Sequence, residues 1–537
     1  MKLASGAVAT GLAGRAPAQQ REIAEGIFAP TWESLKQYKT PDWFRDAKFG
    51  IWAHWSAQCV PEQGDWYARQ MYIQGHPQNK YHVQHYGHPS KFGFMEIDNL
   101  WKAEKWDPET LISRYVKAGA KYFVSLANHH DNFDNYASTH HAWNSVNVGP
   151  KKDIVGTWAR IARAHGLRFG VSNHSAHSWH WFQTAYGYDP EGEMAGIPYD
   201  GFTSKDSGKD KWWEGLDPQE LYNGPIMVMP KGIATIGEAQ QWHEQHDRKW
   251  TEAPPAGNPH FVETWFLRCQ ELMDKYNPDL VYFDNTELPL GQAGLDIAAH
   301  YYNASIKRHG SLEAVLNSKE LKPEHAGTMV LDIERGRADR ILATPWQTDT
   351  CIGDWHYRHS LFDQHRYKTA RQVIQTLPDI VSKNGNLLLS IPLRGDGGID
   401  EDESKFIDDL TSWMQPNGES IYGTRPFTVF GEGAQDVRGT GTFIEGRGGA
   451  AHTAKDIRFA TKGDVLYATV LAWPEDGKVT IETLAQGRPE YPKQIGRVEL
   501  LGAAGPLPFT REAAGLVVTL PNTKPNEYAY VLKIRPA

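Results

Sequence analysis

The sequence predicts an α/β chain: a (β/α)8-like barrel followed by a C-terminal all-β sandwich. Three observations predict it. Between about residue 40 and residue 415, eight short apolar runs alternate with amphipathic helical stretches. Strand, helix, strand repeated along a chain is the pattern of a parallel sheet covered by helices. No Gly-rich dinucleotide fingerprint follows the first run, which disfavours an open doubly wound sheet. Beyond residue 427 the alternation gives way to short strand-like runs separated by Gly, Pro and Asp.

The eight runs are "FGIWAHW" 49–55, "YFVSLAN" 122–128, "RFGVSNH" 168–174, "LVYFDNT" 280–286, "AVLNSK" 314–319, "MVLDIER" 329–335, "TPWQTDT" 344–350 and "NLLLSIP" 386–392. They are short, apolar, and often β-branched or aromatic, as suits strands buried on both faces. The helices between them have readable ends. Asp107 is placed as an N-cap with Pro108 in the first turn; Leu111, Ile112, Tyr115 and Val116 share one face, and Gly119 marks the stop. Asp153 and Gly166 bracket a second helix, whose buried side carries Ile154, Trp158, Ile161 and Ala162. Val262, Trp265, Phe266, Cys269, Leu272 and Met273 form a third stripe, closed by Asn277-Pro278.

Residues 56–105 and 181–255 are long connections rich in Tyr, His, Gly and Trp. Segments of that length inside a compact unit are usually functional. Trp242 and Trp250 are expected either at a pocket mouth or on helices of the barrel flank. The start, "MKLASGAVATGLAGRAPAQQ", reads as a weak secretory signal or as a flexible tail. The expected division is 1–28 for that segment, 29–425 for the barrel and 426–537 for the sandwich, with a periplasmic or secreted location.

Composition narrows the function. Acidic residues outnumber basic ones, 65 to 56, for a net charge of −9, and no Lys/Arg run occurs. That excludes the basic footprint of a nucleic-acid binder. No run reaches the roughly 20 apolar residues of a membrane span. Cys59, Cys269 and Cys351 lie far apart, without the spacing of a zinc site or a disulfide framework. The chain holds 20 tryptophans. They suit large cores, and they also suit stacking on the C–H faces of sugar rings.

In such a barrel, reactive groups gather where strands end and loops begin. The first run ends with His54 and Trp55. The second ends with Asn128, His129, His130 and Asp131, and the third with Asn173 and His174. The fourth ends with Asp284, Asn285 and Glu287, and the fifth with Asn317 and Lys319. The sixth carries Asp332, Glu334 and Arg335, and the seventh ends with Asp349. A single Asp after a strand is commonly a helix cap. His54, His129, His130 and Asp131 have metal-binding chemistry, but no H-x-H or H-E-x-x-H spacing, and neighbouring strand residues face opposite ways. Neutral His, Asn and Trp N–H groups supply the mixed donors and acceptors that hydroxyls need. Glycoside cleavage requires two carboxyl groups. Asp284 and Glu334, ending different strands, are the candidate pair.

"FGIWAHWS" with "GDWYARQMY", "NHHDNFDNYAST", "GPKKDIVG", "LVYFDN", "VSKNGNLLLSIPLRGDGGID" and "ESIYGTRPF" together resemble the alpha-L-fucosidases of glycoside hydrolase family 29. The resemblance runs from about residue 30 to 430, in the family's order. It implies a (β/α)8-like barrel, a C-terminal β-sandwich, and retaining hydrolysis of terminal alpha-L-fucose with no metal or other cofactor. It places the nucleophile on Asp284 and the acid/base on Glu334, with Asp332 and Glu287 as alternatives. It places fucose contacts on His54, Asp65, Trp66, His129, His130, Tyr282, Lys319 and Trp355, to which the strand-end reading adds His174. Asp65 stands where many members have Glu, and Lys319 where the family has Arg. Asn128 replaces a frequent Lys, and "SNHS" replaces a stretch that often holds Tyr. The expected partner is a fucosylated glycan, with a homo-oligomer left open. An alpha-L-galactosidase and a non-catalytic fucose-binding protein are the rival readings.

Overall fold

A computed structural model describes residues 21–433, 440–445 and 451–537. All eight expected runs form strands: β1 (Phe49–Ala53), β2 (Tyr122–Asn128), β3 (Arg168–Asn173), β4 (Leu280–Thr286), β5 (Val315–Lys319), β6 (Val330–Asp332), β7 (Trp346–Cys351) and β8 (Gly385–Ser390). They pair in parallel in chain order, and β8 closes on β1. Nearly every strand residue is buried, because helices cover the outside and side chains fill the inside. Gly50 is required here. A Cβ at that position would run into the ring of Tyr122, which crosses the interior to donate to Gln347 Oε1 at 3.0 Å.

The helix signals act as read. Asp107 accepts from Thr110 N at 3.1 Å and Pro108 opens the helix Pro108–Lys117. Asp153 accepts from Gly156 N at 2.9 Å at the head of Ile154–Ala164. The helix Pro259–Tyr276 ends where Asn277 turns left-handed at φ 49°. Trp158, Trp265, Phe266, Cys269 and Leu272 are all buried against the barrel. Each fully buried large apolar side chain contributes about 1.5–3 kcal/mol. Nine tryptophans are fully buried, so core packing accounts for much of the high Trp content.

The two long connections fold into short helices and grip each other over the C-terminal ends of the strands. Arg69 pairs with Asp247 at 2.6 Å and donates to the Trp181 carbonyl at 2.9 Å, all within the buried interior. The signal-like residues 1–20 lie outside the described residues. Residues 21–28 lie against the barrel. Arg21 pairs with Glu263 at 3.0 Å and Asp296 at 2.9 Å, and buried Phe28 donates its N–H to Asn303 at 3.0 Å.

The C-terminal part holds β9 (Arg425–Glu432), β10 (Ile457–Lys462), β11 (Val465–Val470), β12 (Lys478–Ile481), β13 (Ile495–Leu500), β14 (Phe509–Arg511), β15 (Leu516–Thr519) and β16 (Tyr530–Pro536). These form antiparallel sheets in the orders β13-β16-β11-β10-β9 and β12-β15-β14. β9 and β14 carry no clear strand pattern in the sequence. β9 is only half-buried along its length and β14 has three residues, so neither shows alternation. The sandwich packs on the barrel: Trp413 Nε1 donates to the Ala529 carbonyl at 2.9 Å, and Tyr467 and Val531 join the barrel's apolar core.

Candidate active site

A cavity of about 520 Å³ opens at the C-terminal ends of the barrel strands. The two first-choice catalytic carboxyls and the nine expected fucose contacts all border it, whereas the strand-end residues Asn128, Asp131, Asn173, Asn285 and Asn317 do not.

Strand order explains the centre. β5 lies between β4 and β6 in the barrel. Asp284 is on β4, Lys319 ends β5, and Glu334 follows β6 by two residues. The Lys319 ammonium therefore reaches both carboxylates, contacting Asp284 Oδ1 and Glu334 Oε2. Glu334 is held although it lies past the strand. Ile333 N donates to the Gln347 carbonyl at 2.9 Å and Arg335 N to the Asp349 carbonyl at 2.8 Å, continuing the ladder to β7.

The two carboxyls are poised oppositely. Burial pushes Asp284 up, but Lys319, His174 and His130 outweigh it and hold Asp284 well below the usual carboxylate range. His130 Nε2 lies 3.3 Å and His174 Nδ1 3.2 Å from Asp284 Oδ2. Burial raises Glu334 to about 7, against the opposing pull of Lys319, with Asp349 and Asp284 adding to the rise. One ammonium offsets one carboxylate, and Asp284 has the additional partners. Two carboxyls whose surroundings push their protonation apart are the mark of an acid/base division of labour.

Neutral polar groups form the wall. Burial lowers the pKa of His54 and His129 well below its ordinary value and that of His174 to about 4. Neither ring nitrogen of buried His54 has a hydrogen-bond partner among the described residues. Unpaired buried donors and acceptors call for a ligand. His129 Nδ1 meets Gln58 Nε2 at 2.9 Å, and the His174 carbonyl accepts from His130 Nδ1 at 2.8 Å. His129 and His130 both face the cavity, with ring centroids 4.4 Å apart. The expectation that they face opposite ways fails because β2 ends at Asn128, so strand alternation no longer applies.

Aromatic faces complete the wall. Asp65 accepts the backbone N–H of His356 at 2.7 Å and of Trp355 at 3.3 Å. That fixes Trp355 against Trp52 and His54, with centroids 5.4 and 5.6 Å away. Trp66, in the left-handed region at φ 66°, meets Trp181 edge-on at 4.9 Å. Tyr282 donates to Asp349 Oδ2 at 3.0 Å. The alternative acid/base residues do not border the cavity. Glu287 pairs with Lys322 at 2.9 Å and with His325, while Asp332 accepts from Gln347 at 2.7 Å beneath the floor.

Sequence reasoning missed several groups. Trp52 lines the cavity from within β1. Trp181 and Arg248 arrive from the long connection, and so does Trp250, for which the pocket was one of the two expected places. Trp242 lies on the short helix Ile236–Gln245, stacked on His246. Glu252 ties that connection to β4. It accepts from Trp250 Nε1 at 3.0 Å and Thr286 N at 2.8 Å, and burial raises it to about 7. Nothing in the local sequence marks it. Two groups have metal-ligand spacing among the described residues: His54, His129 and His174, and His130, His174 and Asp284. The second includes a carboxylate already held by Lys319.

A barrel whose strand ends bring two oppositely shifted carboxyls together, inside a wall of histidine and aromatic side chains, is the arrangement that a glycoside hydrolase calls for. Comparison with known proteins gives the particular kind. A family model described as Alpha-L-fucosidase matches residues 16–419, and one described as Alpha-L-fucosidase C-terminal domain matches residues 451–535. The tissue alpha-L-fucosidase of Rattus norvegicus is 26% identical over 97% of this chain and 95% of its own. That of Homo sapiens is 25% identical over 97% and 94%. The crystal structure of Thermotoga maritima alpha-fucosidase in complex with fucose superimposes with a TM-score of 0.66 at 25% identity, over 94% of this chain and 99% of that one. This chain belongs to the alpha-L-fucosidase family.

Among the described residues, no helix is long and apolar enough to cross a membrane.

Proposed function

We propose that the chain releases terminal alpha-L-fucose from oligosaccharides or polysaccharides by double displacement, with retained configuration. Asp284, ionised, attacks the anomeric carbon. Glu334, protonated, gives its proton to the leaving oxygen. A fucosyl ester on Asp284 results. Glu334, now a carboxylate, takes a proton from water, whose oxygen attacks the same carbon and frees Asp284. His54, His129, His130 and His174 hold the hydroxyls, with Trp66, Tyr282 and Trp355 against the apolar parts of the sugar. These contacts contribute to rate where they tighten as charge develops.

One observation carries this reading: a single ammonium, that of Lys319, contacts both carboxylates. Their facing oxygens therefore lie within two hydrogen-bond lengths, about 6 Å. Retaining enzymes hold their carboxyl groups at roughly 5–5.5 Å and inverting ones at roughly 6.5–9.5 Å. The same reading includes a fucosylated glycan as partner, a periplasmic or secreted location, and a catalytic unit over 29–425 followed by a sandwich over 426–537. Proton NMR of the hydrolysis of an aryl alpha-L-fucoside tests it. The alpha anomer of fucose is expected first, with the beta anomer growing in by mutarotation. Beta anomer first, or no fucose release from any fucoside, overturns it.

A further inference from the structure

We infer that the C-terminal domain completes the active site. Its segment 440–445 builds the subsite for the leaving group, and Phe443 is the platform on which an uncharged pyranose ring of that leaving group stacks. The inference rests on the functional reading above, in which Glu334 protonates the leaving oxygen.

The segment lies between β9 and β10, yet it is docked on the barrel beside Glu334. Gly441 and Arg337 exchange backbone hydrogen bonds at 3.2 and 3.4 Å. Phe443 N donates to the Glu334 carbonyl at 2.9 Å, and Glu445 N to that of Arg335 at 3.0 Å. A Cβ at Gly336 would collide with the Gly441 carbonyl, so glycine there permits the approach. Glu445 anchors the far end, pairing with Lys368 at 2.7 Å and accepting from Thr350 Oγ1 at 2.7 Å.

This anchorage leaves one large apolar side chain in the open. Phe443 borders the cavity, is 53% exposed, and takes φ 50°. Trp66, Glu320 and Arg335, also at the cavity, have φ of 66°, 47° and 45°. Non-glycine residues in this region carry a conformational cost, and such residues cluster at ligand sites. An aromatic face held open in this way, one backbone hydrogen bond from the proton donor, matches the C–H face of a sugar. Glu320, which accepts from Thr442 Oγ1 at 3.3 Å, offers an acceptor for that sugar's hydroxyls.

The test compares two substrates: alpha-L-fucosyl fluoride, whose leaving group is one atom, and the fucosylated oligosaccharide that wild type cleaves fastest in a linkage panel. In Phe443→Ala, the ratio of kcat/KM on the oligosaccharide to that on the fluoride is expected to fall about tenfold. The loss should appear mainly in KM, and Phe443→Trp should restore the ratio. An unchanged ratio in Phe443→Ala, with wild type cleaving both substrates, overturns the subsite alone. A wild type that cleaves neither overturns the functional reading and the subsite with it. The ratio is read on folded enzyme, so Phe443→Tyr, which keeps the ring, serves if the alanine variant does not fold. Its ratio is then expected to stay within twofold of wild type while Phe443→Ser loses it.

Discussion

Lys319 and Asp284 form a buried ion pair at the ends of adjacent barrel strands. The same ammonium also touches Glu334, so its charge pulls down the pKa of both carboxyls. Removing one partner of a buried pair costs about 3–5 kcal/mol, because the other is left uncompensated. Lys319→Met is expected to lose stability of that order in denaturant unfolding. It should also raise the pKa of Glu334, since Lys319 pulls that carboxyl down. The alkaline limb of kcat/KM should therefore move to higher pH, whereas Lys319→Arg should leave it near its original place. A limb that stays put in the methionine variant counts against the shared ammonium.

Glu334 itself gives a pH prediction with a definite sign. As the proposed acid it works protonated, and burial holds it so up to about pH 7. Rate should fall as pH rises through about 7, and the free-enzyme profile reports this limb. Asp284 is ionised far below that, so no opposing limb from it is expected near neutrality. Glu334→Ala should lose about 10²–10⁴-fold on oligosaccharides, the usual contribution of a general acid. With a dinitrophenyl leaving group, which departs unprotonated, formation of the fucosyl-enzyme should be affected far less. The alkaline limb should vanish. Equal losses on both substrates would move the acid role elsewhere.

Metal removal gives a third prediction. The histidine groups near Asp284 have ligand spacing. Yet Asp284 is already paired with Lys319, and in the proposed mechanism Glu334 supplies the proton, so its two steps balance without a cation. Activity is expected to survive dialysis against EDTA unchanged. A loss restored by zinc or another divalent ion would reassign the histidines as ligands.

Much of this was legible in the sequence because it depends on short-range pattern. Eight apolar runs gave eight strands, and His54, His129, His130, His174, Asp284, Lys319, Glu334 and Asp349 at or just beyond their ends became the wall of one cavity, whereas Asn128, Asp131, Asn173, Asn285, Glu287, Asn317 and Asp332 did not. Capping residues such as Asp107 and Asp153 act locally, so their roles could be read directly. What escaped depends on distant contacts. Glu252 and Phe443 sit in irregular segments, and only the folded chain brings them to β4 and to Glu334. The double contact of Lys319 escaped too, since it follows from strand neighbourhood around a closed barrel rather than from anything near residue 319. The facing of the two histidines after Asn128 was misread, though not their place at the cavity, because the strand stops at Asn128.

Asp65 supports the site through the backbone. It accepts two main-chain N–H groups, those of Trp355 and His356. Asp65→Ala leaves both donors unpaired, at about 1–3 kcal/mol each where water cannot replace the carboxylate. The segment should relax by moving, and Trp355 with it. Because Trp355 packs against Trp52 and His54, the sugar pocket then loses one aromatic wall while Asp284, Lys319 and Glu334 stay in place. The expected result is a rise in KM of about tenfold for aryl fucosides, with kcat changed less. Asp65→Glu, which keeps the carboxylate, should recover most of the loss. Tryptophan fluorescence offers an independent readout: fucose should perturb emission in wild type and much less in Asp65→Ala. A KM within twofold of wild type in the alanine variant would show that Trp355 holds its place without this carboxylate.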